Sequence, residues 1–173
     1  SKEEYAYLVN NTTNQLFRIL KENKAGYIFI NWRSLNIWID SLEQSGFKVK
    51  NVIVWDKVVH GLNYQNYAYC YELGIYFIKG KVELNNKEPH DMNKRFYTDV
   101  WHIQRDIDTE NKSDHHETVK QINVIKTPIL HASKPNDLIL DPFMGSGTTA
   151  VAAQKTNRKA IGFAIDSNYR LVA

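Results

Sequence analysis

The stretch Leu138-Ile139-Leu140-Asp141-Pro142-Phe143-Met144-Gly145-Ser146-Gly147-Thr148-Thr149-Ala150 constrains this chain more than any other. An apolar strand runs into a loop holding two glycines, and the loop opens a helix. Glycine lets backbone approach a ligand closely, and the unpaired amides of a helix start attract an anionic group. A plain strand-to-helix turn does not need Asp141, Gly145, Gly147 and the small hydroxyl residues Ser146, Thr148 and Thr149 together.

Two nucleotide-binding loops have related patterns. A phosphate-binding P-loop puts a lysine directly after its second glycine. Here Thr148 follows Gly147, which excludes it. A dinucleotide fold asks for Gly-x-Gly-x-x-Gly/Ala, which residues 145–150 satisfy, and Asp166 lies near the place of its ribose-binding acid. Only 7 residues follow Asp166, too few for the second half of such a sheet. A nicotinamide-dependent oxidoreductase is therefore the weaker rival.

The chain has 173 residues, enough for one α/β domain around a single core. Charged residues make up 24% and apolar ones 43%, as in ordinary globular proteins. No apolar stretch approaches the ~20 residues of a spanning helix, so no membrane partner is expected. Ser1-Lys2-Glu3-Glu4-Tyr5 lacks the apolar core of a secretion signal. A lone Cys70 allows no intrachain disulfide, which fits a reducing cytoplasm. The formal charge of +3 decides nothing about nucleic acid. His115-His116 has neither nearby cysteine nor helical spacing, so no metal is expected.

Along the chain, helices and strands alternate. Ser1 and Glu4 have capping-box spacing, and Tyr5, Leu8, Thr12, Leu16, Ile19 and Leu20 fall near one helical face. Gly26 is expected to end that element before the strand Tyr27 to Ile30. A helix is expected over Ser34 to Gln44, stopped by Gly46, then strands at Val49 to Trp55 and Tyr69 to Ile78. The polar, aperiodic segment Gln104 to Glu117 reads as an exposed, flexible loop. A helix near Lys120 to Ala132, a strand at Leu138 to Leu140, a helix from Gly147 to Gln154, a strand at Ala160 to Ile165 and a short last helix follow. Such alternation predicts a mostly parallel sheet with helices on both faces.

Asp141 to Thr149 closely resembles the cofactor motif of the amino-methyltransferases that modify adenine or cytosine in DNA. In that family the motif order is permuted, so the loop falls late in the chain. Arg158 to Phe163, then Ile165-Asp166 and Tyr169, resemble the next strand and helix of the family. His116-Glu117-Thr118-Val119-Lys120-Gln121 is similar to its His-Pro-Thr-x-Lys-Pro segment, with Glu117 and Gln121 in place of the prolines. Tyr97-Thr98-Asp99-Val100-Trp101, Trp55-Asp56-Lys57, and Tyr71-Glu72 leading to Gly80 match further stretches. The resemblance covers nearly the whole chain.

It implies a Rossmann-like α/β fold that binds S-adenosylmethionine, acts on double-stranded DNA, and works beside a restriction partner or as a homodimer. Adenine is preferred to cytosine as the target. Asp141 would end the strand and anchor the turn, with Pro142 next to it in the cofactor loop. Gly145 and Gly147 would admit the methionine part, and Ser146, Thr148 and Thr149 would donate hydrogen bonds. Phe143 would pack on the cofactor or serve as a core aromatic. His116, Thr118 and Lys120 would lie at the amino-acid end. The family's ribose-binding acid is replaced by Ala164, and Asp166, two residues on, is the candidate to take over. Each charge-assisted bond of that kind is worth about 1.5–3 kcal/mol. A catalytically inactive relative is the alternative this substitution supports.

The family's catalytic motif, a polar residue followed by two prolines and an aromatic, has no counterpart here. The prolines are Pro89, Pro128, Pro135 and Pro142, none adjacent to another. No catalytic residue is therefore assigned. The strand leading to that motif lies in mid-sheet in the family, and a sheet without it leaves buried edges unpaired. The expectation is a methyltransferase domain that is part of a longer polypeptide, with Gln104 to Glu117 as a short target-recognition insertion. The Gly61 to Tyr67 stretch reads as a tyrosine-rich loop that could also stack on bases.

Overall fold

The sequence pattern places its first helix where a capping box can start it. In the computed structural model Ser1 Oγ accepts the Glu4 amide at 3.2 Å and opens α1 (Lys2–Ile19). The structure describes residues 1–58, 66–85, 97–104 and 120–165, in two compact units, Ser1–Gln104 and Arg105–Ala173.

In the first unit α1 is followed by β1 (Lys24–Ile30), a 3-10 turn (Trp32–Ser34), α2 (Leu35–Gln44), β2 (Lys48–Asp56), β3 (Tyr71–Lys79) and β4 (Val100–His102). The buried face of α1 is rotated from the expected one. Val9 and Thr13 are buried, while Leu8 and Ile19 are exposed. Thr13 goes inward because its hydroxyl lies 2.7 Å from that of Ser41 on α2, a polar pair that hydropathy cannot rank. Both side chains are buried, and Thr13 Oγ1 also donates to the Asn10 carbonyl at 3.1 Å, so it is removal of Thr13 that costs Ser41 this bond. Thr13→Val is expected to lower stability by about 1–2 kcal/mol, and Thr13→Val with Ser41→Ala to recover most of it. Urea unfolding of the wild type, Thr13→Val, Ser41→Ala and the double variant checks this; a double variant no better than Thr13→Val counts against it.

Gly26 does not end the helix. It lies inside β1, where a Cβ would stand 2.2 Å from Phe77 Cζ. The helix is closed instead by Lys79, whose Nζ donates to the carbonyls of Phe17 at 2.7 Å and Leu20 at 3.0 Å. Gly46 does stop α2, with φ 105.

The strand order is β1-β3-β2-β4. β3 runs antiparallel to both neighbours, and β2 is parallel to β4. Three strands thus point one way, as a mostly parallel sheet requires, and β3 alone runs against them, which makes its two pairings antiparallel. The reason lies in the connections. α2 carries β1 over to the parallel β2, whereas β3 returns antiparallel between them. β3 is central, and every residue from Leu73 to Ile78 is buried, as both faces of the strand are covered. One face packs Ile75 and Phe77 against Val9, Trp38 and Leu42 of the helices. The other gathers Ile53, Tyr76, Ile78 and Trp101, with Tyr27 stacked on Tyr76 at 5.0 Å between ring centroids.

The second unit holds α3 (Ile122–Ala132), β5 (Leu138–Asp141), α4 (Thr148–Lys155) and β6 (Lys159–Gly162). β5 and β6 pair in parallel, Leu138 level with Lys159. Ile139 and Ala160 pack on Ile129, Ala152 and Ala153 of the helices. The Arg158 guanidinium fastens this layer, donating to the Ser133 carbonyl at 2.6 Å and to its hydroxyl at 3.1 Å. β6 ends sooner than expected. The expected last helix, the loop after Gln104 and residues 61–65 of the tyrosine-rich stretch lie outside the described residues. Among the described residues no helix is long and apolar enough to cross a membrane.

Candidate cofactor-binding site

β5 delivers Asp141 to the sheet edge, and one carboxylate then organises the turn. Its Oδ1 accepts the Phe143 amide at 2.9 Å, and its Oδ2 accepts the Thr149 hydroxyl at 2.5 Å. The start of the loop and the first turn of α4 are thereby tied to one side chain. Backbone bonds close the path on the β6 side: Phe163 N donates to Asp141 O at 3.1 Å and Met144 N to Phe163 O at 3.0 Å.

Both loop glycines have positive φ, 49 at Gly145 and 84 at Gly147, a region that side chains disfavour. A Cβ at Gly145 would meet only the Phe143 carbonyl, at 4.0 Å, so space lies above it. Gly147 is the N-cap of α4 and no side chain caps the helix there. The amides of the first turn are thus left for an anionic group.

The expected site residues divide as follows. Asp141 ends β5, Pro142, Gly145, Ser146 and Gly147 lie in the turn that follows, and Thr148 and Thr149 open α4. Ser146 and Thr148 hydroxyls stand 3.4 Å apart on the open side of the turn, whereas the Thr149 hydroxyl is already engaged by Asp141. Phe143 is 56% exposed, so it is not a core aromatic here, and Phe163, whose carbonyl accepts the Met144 amide, is 61% exposed. Lys120 is half-buried, two residues ahead of α3. His116, Thr118 and Asp166 lie outside the described residues. Ala164 is exposed.

A pair that the sequence reading passed over supports the loop from below. Met144 is buried, and at Gly162 a Cβ would stand 1.8 Å from its Cε. Gly162 thus admits the methionine that seats the turn. The signal was present as a glycine within a strand, which marks a close approach. Among the described residues no group of three or more His, Cys, Asp or Glu could hold a metal ion.

The family profile described as DNA methylase, of the N6/N4 amino-methyltransferase group, matches residues 1–173. The chain belongs to the DNA methylase family. Among curated methylases it is 32% identical over 164 residues to the type II methyltransferase M2.LlaDCHI of Lactococcus lactis subsp. cremoris, covering 90% of this chain and 60% of that protein. It is 30% identical to the type II methyltransferase M2.DpnII of Streptococcus pneumoniae, with the same 90% and 60% coverage. This DNA methylase chain therefore spans about three fifths of the length of those relatives. It is also similar in fold to M1.HpyAVI, solved as a complex with S-adenosylmethionine. That match has a TM-score of 0.76 and 26% identity, over 92% of this chain and 78% of the other. The fold is thus the Rossmann-like α/β arrangement of S-adenosylmethionine-dependent methyltransferases.

Proposed function

We propose that this methylase chain binds S-adenosylmethionine at residues 141–149 and serves transfer of its methyl group to the exocyclic amino group of adenine or cytosine in double-stranded DNA. The observation that carries the reading is the Asp141 clasp, which holds a positive-φ glycine loop against a helix start with no side-chain cap. A carboxylate suits the uncapped amides, and the exposed Phe143 and Phe163 rings suit an apolar or aromatic portion. The residues present fit the donor. When bound, it supplies a methyl group on a positively charged sulfur, which an amino nitrogen can take up directly. Gly145 and Gly147 would admit the amino-acid end, Ser146 and Thr148 would donate to it, and Thr149 acts through Asp141. Thr118, Lys120 and His116 complete the amino-acid end in this reading, and Asp166 takes the ribose hydroxyls.

Partners follow the same line: duplex DNA as substrate, with a restriction enzyme or a second copy as companion. The M2.LlaDCHI and M2.DpnII relatives, named as type II methyltransferases, support that reading. Ala164 favours one second reading, a relative that has kept the fold and weakened the donor site. Calorimetric titration of the intact protein with S-adenosylmethionine and, separately, with NAD tests these readings. Saturable donor binding and no response to NAD are expected. Silence towards the donor at millimolar concentration supports the second reading, and preference for NAD overturns both.

A further inference from the structure

The carboxyl ends of β1, β2 and β4 form a rim of the first unit. Strand register sets its order. Asp56, the last residue of β2, is level with Tyr71 on one side and with His102, the last residue of β4, on the other. β1 ends with Ile30 level with Leu73, so the chain leaving it carries Trp32 towards the Tyr71 end of β3. In sheets with parallel strands, ligands gather at such carboxyl ends.

The side chains along this rim are held in place yet exposed. His102 is 70% exposed, and its Nδ1 lies 2.8 Å from Asp56 Oδ2. The other carboxylate oxygen accepts the Val58 amide at 2.8 Å. The Val58 amide first, and then His102, hold the Asp56 carboxyl below the usual carboxylate range. With Nδ1 engaged, the ring is oriented and Nε2 is the nitrogen that can meet a ligand. Val58 itself is β-branched at φ 64, and such outliers gather at contact sites. At the other end Trp32 is 52% exposed, with the Arg33 guanidinium 5.2 Å from its ring centroid. Asn31 fixes that turn by accepting the Arg33 and Ser34 amides at 2.9 and 3.2 Å. Lys57, in contrast, is committed to Glu72 at 2.7 Å and to the Trp55 ring.

We propose that this rim contacts DNA, His102 donating from Nε2 to a backbone phosphate under the control of Asp56, and the Trp32 indole, braced by Arg33, stacking on a base. An imidazolium N–H makes a charge-assisted bond to phosphate oxygen, and an indole flanked by a cation offers a face to any base. His102 and Trp32 are the contacting groups, and Asp56 is a positioning residue. The proposal rests on the reading that the substrate is DNA.

The test is binding of the intact protein to a labelled duplex of ~30 base pairs over roughly 50 to 200 mM salt at one fixed pH. Each phosphate contact adds about 0.9 to the slope of log affinity against log salt, so His102→Gln should reduce that slope by about one. Asp56→Asn should reduce it in the presence of His102 and do nothing further in the His102→Gln background. Trp32→Ala should weaken binding roughly tenfold with an unchanged slope. Weaker binding by His102→Gln without a slope change overturns the phosphate contact, and wild-type behaviour of all three variants overturns the whole inference. Donor titration of the same proteins separates the two levels. Normal donor binding with unaffected rim variants sinks only this inference, whereas a wild type that holds the donor and ignores duplex sinks the DNA reading as well.

Discussion

Asp141→Ala is expected to weaken S-adenosylmethionine binding by about 100-fold while the first unit unfolds at its usual denaturant concentration. The carboxylate receives the Phe143 amide at 2.9 Å and the Thr149 hydroxyl at 2.5 Å, so its loss frees both ends of the loop. Hydrogen bonds to a charged acceptor are worth about 1.5–3 kcal/mol each, and about 2.7 kcal/mol already amounts to a hundredfold change. Gly145 and Gly147 lose more conformational freedom on ordering than other residues, so the loop needs that clasp to hold one path. Thr149→Val removes one of the two bonds and should cost about tenfold. Asp141→Asn keeps one acceptor oxygen and should fall near the same value. Because both act through one clasp, Asp141→Ala with Thr149→Val should be no worse than Asp141→Ala alone. Calorimetry of the intact protein decides it; near-normal affinity in Asp141→Ala means that the clasp does not shape the site.

That loop was legible in the sequence because its chemistry is local. Two glycines, an acid at a strand end and a following helix fix the path within a dozen residues, and the structure repeats it from Asp141 to Thr149. The small supporting pair was legible only as a glycine within a strand, with nothing to name what approaches it. Nothing in the sequence pairs Met144 with Gly162, since that approach follows from the parallel pairing of β5 with β6. The same limit shows in the first unit. Hydropathy placed α1 on the sheet but misjudged its angle, because Thr13 is buried through a bond to Ser41, 28 residues away. It read β3 as a strand yet not its direction, which depends on the sheet edge left open between β1 and β2. It gave no sign that β4 is a strand, for three residues carry too short a period, and Trp101 belongs there through contact with Tyr27 and Phe29. The pairing of Asp56 with His102 likewise follows from strand register and not from spacing.

Gly26 shows the same limit with the largest consequence for stability. Read from its neighbours it is a helix stop, yet β1 contains it and the buried Phe77 ring fills the space where a side chain would be. A Cβ there would come within 2.2 Å of Phe77 Cζ and 2.6 Å of Cε2. A ring cannot yield as a flexible chain end does, and Phe77 is also packed edge-on with Phe47 at 4.7 Å between centroids. Gly26→Ala should therefore destabilise the first unit by about 3 kcal/mol, the upper part of the usual overpacking range. All 4 tryptophans lie in this unit, at positions 32, 38, 55 and 101, so their fluorescence in a urea titration reports it directly. Phe77→Leu alone should cost about 1–2 kcal/mol through lost packing. Combined with Gly26→Ala it should restore stability relative to the sum of the two, because the shorter side chain vacates the contested space. A Gly26→Ala protein with the wild-type midpoint, or a double variant whose losses simply add, would show that the glycine is not there to seat the ring.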